Sequence, residues 1–483
     1  MSAKAVVLSP QQKRNRRICI LLFLAAVFIF YSLWARLQAY NDPPDESMRF
    51  DVVYFIANHG ALPDGRDPEI RNEMWGISYA FNPILAYMIM AIPVKIASFF
   101  TDSLWILVLS ARYVNVVFGT LTAFLTVLIG EKLFSGKEKY LFISMVVFLP
   151  EFIFINSYVN IDSMAVLATA LIVYLWIRVL ESGWTWKICL AMGASLSLCA
   201  LSYYNAYGYI LCSLIFFIIT IMFCRREGAS AHFLITRAAF IILIVAILAG
   251  WWFLRNYMLY DGDILGSKTS TAYAEMYAIE ELKPSNRETP QSVGVSLLGM
   301  LFANGSWNHN WLATVAMSFV GTFGAMTIPI PEVIWKSYIL YYALAAVGVL
   351  CSLRVLFSLK RSKVEYSREL KAGRLVAINK KIIVEDSCSI RSVFNWTMLA
   401  AMIIPIVLLT YYAYASDYQA QGRYLMPMLI PFMYFVTSGI KKIVSTIIRN
   451  EKAQSVVYVV LTAIFAVTAV YVYATVLVPY YLG

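Results

Sequence analysis

The chain has 483 residues, of which 60% are hydrophobic and 14% charged, and its formal net charge is +11. Soluble domains are roughly 45–50% apolar and about 25% charged, so this composition excludes an ordinary soluble enzyme and predicts a multi-pass membrane protein. A basic chain can also indicate nucleic-acid binding, but the distribution of the charge along the predicted topology gives it another meaning.

The first apolar segment, Ile18–Leu37, follows a basic cluster at residues 13–17. It is long enough to cross a hydrocarbon core of about 30 Å and longer than the apolar region of a cleaved signal peptide, about 7–15 residues. Because Lys and Arg stay on the cytoplasmic side, we expect an uncleaved first helix with a cytoplasmic N-terminus. Ten later segments are also long enough to span: 106–129, 140–157, 163–180, 188–204, 207–224, 238–256, 338–358, 394–414, 424–440 and 454–480.

One further apolar segment, Phe81–Phe100, contains two prolines and Lys95, and charge decides its placement. If it crossed the membrane, the Lys- and Arg-rich stretch from Arg354 to Arg391 would lie outside. If it does not cross, 27 of the 39 Lys and Arg residues lie inside, as the positive-inside rule requires. The sequence therefore predicts an all-α polytopic protein with eleven spanning helices, a C-terminus outside, and Phe81–Phe100 as a juxtamembrane helix on the outer face.

This topology places the loops and suggests two modules. The predicted outer loops are 38–80, 158–162, 257–337 and 415–423, and the largest inner loop is 359–392. Within the third outer loop, Trp311–Ile330 is apolar and predicts a second helix lying on the outer face. We divide the chain into a first module, 1–258, and a second, 259–483, that begins with the outer stretch 259–337. Under this topology the positive charge belongs to the cytoplasmic side and does not indicate nucleic acid.

Acidic side chains are concentrated in the first outer loop, directly after the first helix. Asp42, Asp45, Glu46 and Asp51 lie within ten residues of one another. They can form a solvated loop, and two prolines followed by acidic residues also begin an ordinary helix, because carboxylates favour its positive end. The alternative with functional content is a general base held at the membrane surface.

Two other outer features carry polar groups between apolar runs. Asp162, in the sequence Asn160-Ile161-Asp162, can be a helix N-cap or part of a site. Arg423 lies on the side that the positive-inside rule disfavours. It can reach lipid headgroups or bind a phosphate through paired hydrogen bonds. A transporter usually needs ionisable residues near the bilayer centre, whereas these residues lie toward the outer helix ends.

The order of these motifs resembles the membrane glycosyltransferases of the GT-C superfamily, which includes protein O-mannosyltransferases and aminoarabinose transferases. The nearest likeness is to a largely uncharacterised bacterial GT-C-like family with the pattern P-D-E-x-x-H-F. The motifs, in chain order, are Pro44-Asp45-Glu46, the run Ala57-Asn58-His59-Gly60-Ala61-Leu62-Pro63, Asn160-x-Asp162, Arg255-Asn256-x-x-x-Tyr260-Asp261-Gly262-Asp263, Ser318-Phe319-Val320-Gly321 and Gln421-Gly422-Arg423-Tyr424. Two positions depart from the pattern. Arg49 replaces the family histidine, and Tyr203-Tyr204-Asn205 stands where relatives often carry a lysine.

The resemblance implies an inverting glycosyltransferase on the outer face of the plasma membrane. Its donor would be a sugar on a polyprenyl phosphate, and its acceptor a cell-envelope glycan or lipid. Asp45 and Glu46 would be the catalytic pair, with Asp45 as the general base. The resemblance implies that Arg423, with Arg49, binds the donor phosphate, and we add Arg112 and Arg255 because they lie in similarly outward positions. Positioning of the sugar or acceptor is predicted for Asn160, Asp162, Tyr204, Trp307, His309 and Gln421.

No metal ligand is assigned, although a divalent metal stays open because some GT-C enzymes use one. Two alternatives also stay open. A flippase or other transporter of lipid-linked glycans would share the many helices. A polymerase or ligase of such glycans would share the outer site but use a long glycan on a diphosphate carrier.

Overall fold

The computed structural model describes residues 9–222, 231–302, 310–358, 360–371 and 374–483. Within these ranges most of the chain is helical. The helices are α1 Pro10–Leu37, α2 Glu46–His59, α3 Leu85–Ser98, α4 Leu104–Leu133, α5 Glu138–Val147, α6 Pro150–Ile155, α7 Asp162–Ser182, α8 Trp186–Ala200, α9 Gly208–Met222, α10 Ala231–Leu248, α11 Gly250–Leu259, α12 Ser267–Tyr277, α13 Leu297–Phe302, α14 Trp311–Gly321, α15 Glu332–Leu350, α16 Leu353–Phe357, α17 Ile390–Ala415, α18 Leu429–Ile447, α19 Glu451–Val472 and α20 Val478–Leu482.

Nine helical segments of the described chain are long and apolar enough to cross a membrane. They overlap with the predicted first helix and with eight of the ten later segments, although the segment 238–256 is divided at Ala249 between α10 and α11. The prediction of an all-α polytopic membrane protein is therefore confirmed. Two of them, α4 and the most buried, α7, lie in the interior of the bundle, where α4 packs against α1, α5 and α7.

In the other two predicted spans, 140–157 and 188–204, the helices are shorter than the apolar segments of the sequence. The first run is divided into α5 and α6, because Pro150 has no backbone N–H for a continuous helix and the preceding Leu149 is extended. The second forms α8, which ends at Ala200 and is followed by a turn and a 3-10 segment, Tyr204–Ala206. At 1.5 Å per residue, the 15 residues of α8 reach only about 22 Å.

The predicted outer-face helices differ in outcome. Phe81–Phe100 contains α3, whose 14 residues are too few to span a bilayer, and α3 packs against α2 and α4. For Trp311–Ile330 the prediction of one helix is wrong beyond Gly321. There α14 ends, and Thr322–Phe323 (β1) pairs antiparallel with Ile328–Pro329 (β2). Gly324, with a φ of +60°, supplies the left-handed turn between the two strands.

The segment 359–392, for which the sequence predicts an inner loop, contains a long antiparallel hairpin. Its strands are β3, Lys360–Lys371, and β4, Arg374–Cys388, with Lys360 opposite Cys388. A long connection can form the hydrogen bonds of its backbone groups by pairing with itself. The charged composition of the segment does not indicate this pairing.

At the other end of the bundle, three connections meet beside α4: the residues before α2, the turn between α6 and α7, and the 3-10 segment Gly422–Met428.

Candidate active site

Asp45 lies at the junction between the first outer loop and α2. Its backbone is left-handed, with φ of +59° and ψ of +19°, and its side chain does not cap the helix. Its Oδ2 lies 3.5 Å from Nη2 of Arg423 and 3.9 Å from Nη2 of Arg49. The Asp45 side chain is 30% exposed, whereas the two arginine side chains are 3% exposed or less. Asp45 is therefore the accessible member of a buried charge cluster.

The electrostatics of this cluster keep Asp45 ionised. Burial alone would raise the pKa of the carboxyl, but the charges of Arg49 and Arg423 and a hydrogen bond from Tyr79 outweigh burial. Together they hold the pKa of Asp45 below its ordinary value. The Arg49 guanidinium also stacks over the Tyr79 ring, 4.3 Å from its centroid. An ionised carboxylate beside two fixed cations can accept a proton. A phosphate can also take the place of this carboxylate as the anion beside the two arginines.

Glu46, the neighbour of Asp45, is fully buried and engaged on both oxygens. Arg112 donates from Nε to Oε1 at 2.8 Å and from Nη2 to Oε2 at 2.6 Å. The backbone N–H groups of Val159 and Asn41 add bonds of 3.0 and 3.1 Å. Arg112 also donates to three carbonyl groups at the end of α1 and just after it. This geometry favours a structural role for Glu46 and Arg112, although the sequence prediction placed both in the chemistry.

Asp162 is the first residue of α7 and is 2% exposed. Neither of its carboxylate oxygens has a hydrogen-bond partner among the described residues. Its strongest charge interactions are with Arg423 and Arg49. Arg49 in turn has two unpartnered buried nitrogens, Nε and Nη1. Because buried charged groups without hydrogen bonds are costly, these groups are suited to a polar ligand.

Arg423 is held on several sides. Nε donates to Oε1 of Gln421 at 2.7 Å, Nη1 donates to the Tyr158 hydroxyl at 2.9 Å, and Nη2 donates to the Tyr424 hydroxyl at 3.1 Å. Gln421 therefore contacts Arg423 directly. A guanidinium fixed in this way has a defined orientation, which paired binding of phosphate requires.

Three other predicted site residues donate hydrogen bonds to backbone carbonyl groups. Asn160 uses its amide to bond the carbonyls of Ile155 and Tyr158 at 2.6 and 3.0 Å, and so shapes the turn before α7. Arg255 donates to the Pro63 carbonyl at 2.8 Å. The Tyr204 hydroxyl donates to the Leu265 carbonyl at 2.8 Å. The remaining two, Trp307 and His309, fall outside the described residues.

The sequence prediction did not include Glu151, which lies in α6 and is 2% exposed. Its Oε2 accepts a bond of 3.1 Å from the Thr322 backbone N–H, and Arg423 and Asp162 are its charged neighbours. A carboxylate directly after Pro150 in an apolar run was the available signal, but that run was interpreted as one continuous span.

The described residues contain no group of three His, Cys, Asp or Glu side chains placed to bind one metal ion. Around Asp45 the neighbouring charged positions are taken by guanidinium groups. These residues do not fit a three-ligand metal site, and we derive no step through a metal. The prediction that left a divalent metal open stays a prediction.

Fold and site together define a polytopic membrane protein with a buried charge cluster at one end of its helices. Its fold is similar to that of a solved archaeal oligosaccharyltransferase, a GT-C membrane glycosyltransferase, and this confirms the predicted resemblance at the level of the fold. The apo oligosaccharyltransferase of Archaeoglobus fulgidus matches with a TM-score of 0.51 and 12% identity, over 92% of this chain and 56% of that one. This chain thus spans little more than half the length of that enzyme.

ArnT from Cupriavidus metallidurans, in the apo state, matches with a TM-score of 0.39 and 12% identity, over 88% of this chain and 77% of ArnT. ArnT has also been solved bound to undecaprenyl phosphate, and that structure matches with a TM-score of 0.38. No family model matches the sequence, and no curated protein matches it.

Proposed function

We propose that this protein is an inverting glycosyltransferase that moves a sugar from a polyprenyl phosphate to a hydroxyl group of a cell-envelope glycan or lipid. The observation that carries the proposal is the placement of Asp45. It is an accessible, ionised carboxylate, 3.5 Å and 3.9 Å from two buried guanidinium groups. General-base catalysis and stabilisation of a phosphate leaving group need these two elements side by side.

In the proposed reaction, Asp45 takes the proton of the acceptor hydroxyl while the acceptor oxygen attacks the anomeric carbon. The new carbon–oxygen bond forms as the bond from that carbon to the phosphate oxygen breaks. Both electrons of the broken bond leave with the polyprenyl phosphate. The phosphate is a stable anion, so the leaving group needs no proton from an acid. General-base catalysis of this kind typically contributes about 10²–10⁴-fold.

The other residues of the cluster receive roles from their contacts. Arg423 and Arg49 bind the phosphate and balance the charge that develops on it. Asp162, with both oxygens unpartnered, accepts hydrogen bonds from sugar or acceptor hydroxyls. Gln421 orients Arg423. Glu46 acts through Arg112, because the pair fixes the loop that presents Asp45.

The proposed site faces the extracytoplasmic side. The orientation follows from the positive-inside rule, which places the N-terminus and the Lys- and Arg-rich segment 359–392 in the cytoplasm. The cluster lies at the opposite helix ends, where the end of α1, the start of α7 and the segment containing Arg423 meet. A sugar carried on a membrane lipid can reach this position without leaving the bilayer.

The test is transfer by purified protein in nanodiscs. Mass spectrometry of lipid that co-purifies identifies the donor, and transfer from that donor is compared among the wild type, Asp45→Asn and Asp51→Asn. Asp51 is an exposed residue of the same helix and serves as the matched control. We expect Asp45→Asn to lose at least about 100-fold in turnover and Asp51→Asn to retain it. Undiminished turnover by Asp45→Asn would remove the assigned base, and movement of lipid-linked glycan across the bilayer without transfer would support a flippase.

A further inference from the structure

Glu151 is a buried carboxylate that the reaction proposed above does not use. It is 2% exposed and lies in α6, directly after the break between α5 and α6. Among the described residues its one hydrogen bond is from the Thr322 backbone N–H to Oε2, at 3.1 Å. Thr322 is the first residue after α14, so the carboxylate accepts a backbone donor at the point where α14 ends.

The same end of α14 holds the chain next to Arg423. Ser318, one turn before the end of α14, accepts a bond of 2.7 Å on Oγ from the Gly422 backbone N–H. The contact between Gly422 and α14 is very close, because a Cβ at Gly422 would overlap the backbone nitrogen and Cα of Phe319. The position of Arg423 therefore depends on the position of the last turn of α14.

We propose that Glu151 is a positioning residue for Arg423. The carboxylate fixes the end of α14, the end of α14 holds Gly422 through Ser318, and Gly422 places Arg423 toward the phosphate of the donor. The inference rests on the proposed function in that it takes the donor phosphate as the ligand of Arg423. Glu151 does not contact the substrate in the proposed reaction. Its expected effect is on binding of the donor more than on the chemical step.

The variants test separately the hydrogen bond that Glu151 accepts, the negative charge of Glu151 and the side chain of its partner, Thr322. Glu151→Ala removes the acceptor, whereas Glu151→Gln keeps an acceptor oxygen and removes the negative charge. Ser318→Ala interrupts the next contact. Thr322→Val is the matched control, because it keeps the backbone N–H and removes only a buried hydroxyl that has no hydrogen-bond partner among the described residues.

Turnover at varied donor concentration is the first measurement. We expect Glu151→Ala and Ser318→Ala to raise the KM for the donor by about tenfold, the size of one hydrogen bond, with a smaller change in kcat. Glu151→Gln should stay within about threefold of the wild type, as should Thr322→Val. An unchanged KM in Glu151→Ala, or a Glu151→Gln variant as impaired as Glu151→Ala, would overturn the proposal.

Hydrogen exchange provides a second measurement that needs no activity. We expect the Gly422 amide to exchange faster in Glu151→Ala than in the wild type, and at the wild-type rate in Glu151→Gln and Thr322→Val. If the wild type transfers no sugar but this exchange pattern is found, the positioning contact stands and the proposed function fails. If transfer is found without the exchange pattern, the proposed function stands and the role of Glu151 is wrong. Should Glu151→Ala fail to fold, Glu151→Asp takes its place, because the shorter side chain withdraws the acceptor from the Thr322 N–H. We expect it to raise the donor KM and to speed exchange of the Gly422 amide, and wild-type values of both would overturn the proposal.

Discussion

Glu46 and Asp45 make different contacts, and replacing Glu46 tests the proposed division between scaffold and general base. Glu46→Ala would leave the Arg112 guanidinium buried without its counter-charge, since both side chains are 0% exposed. Breaking a buried ion pair from one side costs about 3–5 kcal/mol. The Val159 and Asn41 N–H groups would also lose their acceptor. We therefore expect a large loss of stability from this single change.

The assay is thermal unfolding in nanodiscs, combined with turnover per folded molecule. The entropy of unfolding is about 2.1 cal/mol/K per residue, or roughly 1 kcal/mol/K for the 483 residues of this chain, so that 1 kcal/mol shifts Tm by about 1 °C. A loss of about 3–5 kcal/mol should therefore lower Tm by about 3–5 °C. The control is Glu69→Ala, because Glu69 forms an exposed contact with His59 in the same loop, and such surface pairs contribute little.

The result that would refute this reasoning is specific. If Glu46→Ala keeps the wild-type Tm but loses turnover as severely as Asp45→Asn, Glu46 takes part in the reaction, as the sequence motif predicted. If Tm falls and the molecules that stay folded retain most of their turnover, Glu46 and Arg112 form the scaffold of the loop.

Three further outcomes follow from the same site. Arg49→Gln should move the acid limb of kcat/KM to higher pH, because the charge of Arg49 helps lower the pKa of Asp45. Without that charge Asp45 takes up a proton at a higher pH, and an acid limb at the wild-type position in the pH–rate profile would contradict this expectation. Arg423→Lys should raise the donor KM by at least about tenfold, since Lys cannot reproduce the paired bonds, and a wild-type KM would exclude Arg423 as the phosphate ligand. Gly422→Ala should raise the donor KM because its Cβ would overlap α14, whereas Gly250→Ala, which meets no neighbour closer than 3.9 Å, should leave KM unchanged.

The sequence was sufficient for the framework because hydrophobic runs and their length determine which segments can span. It also indicated four of the groups that the structure brings together: Asp45 and Arg49 through the motif of the first outer loop, Asp162 between two apolar runs, and Arg423 before another. Helix breaks were harder to predict. The division at Pro150 separates α5 from α6 and places Glu151 beside α14, and a hydropathy window averages over such a break.

Partners that are distant in sequence could not be predicted at all. Arg112 and Glu46 are 66 residues apart, and their pairing depends on the packing of α1 against α4. From the sequence, Arg112 had the same features as Arg423: a single arginine near an outer helix end. What separates the two is that Arg112 donates to both oxygens of a fully enclosed carboxylate, whereas Arg423 approaches a carboxylate that is 30% exposed.

The different contacts of Asp45 and Glu46 have a conformational origin. Neighbouring residues do not face the same way at a helix surface, and here the left-handed backbone of Asp45 marks the point at which the loop becomes α2. A non-glycine residue with a positive φ is uncommon, and Asp and Asn are the side chains that tolerate it best. Asp45 thus faces the two arginines of the site, while Glu46 faces the interior and Arg112. Two adjacent carboxylates can therefore serve separately, one as the proposed general base and the other as part of the scaffold. A shift of the motif by one residue would not let either carboxylate take the position of the other.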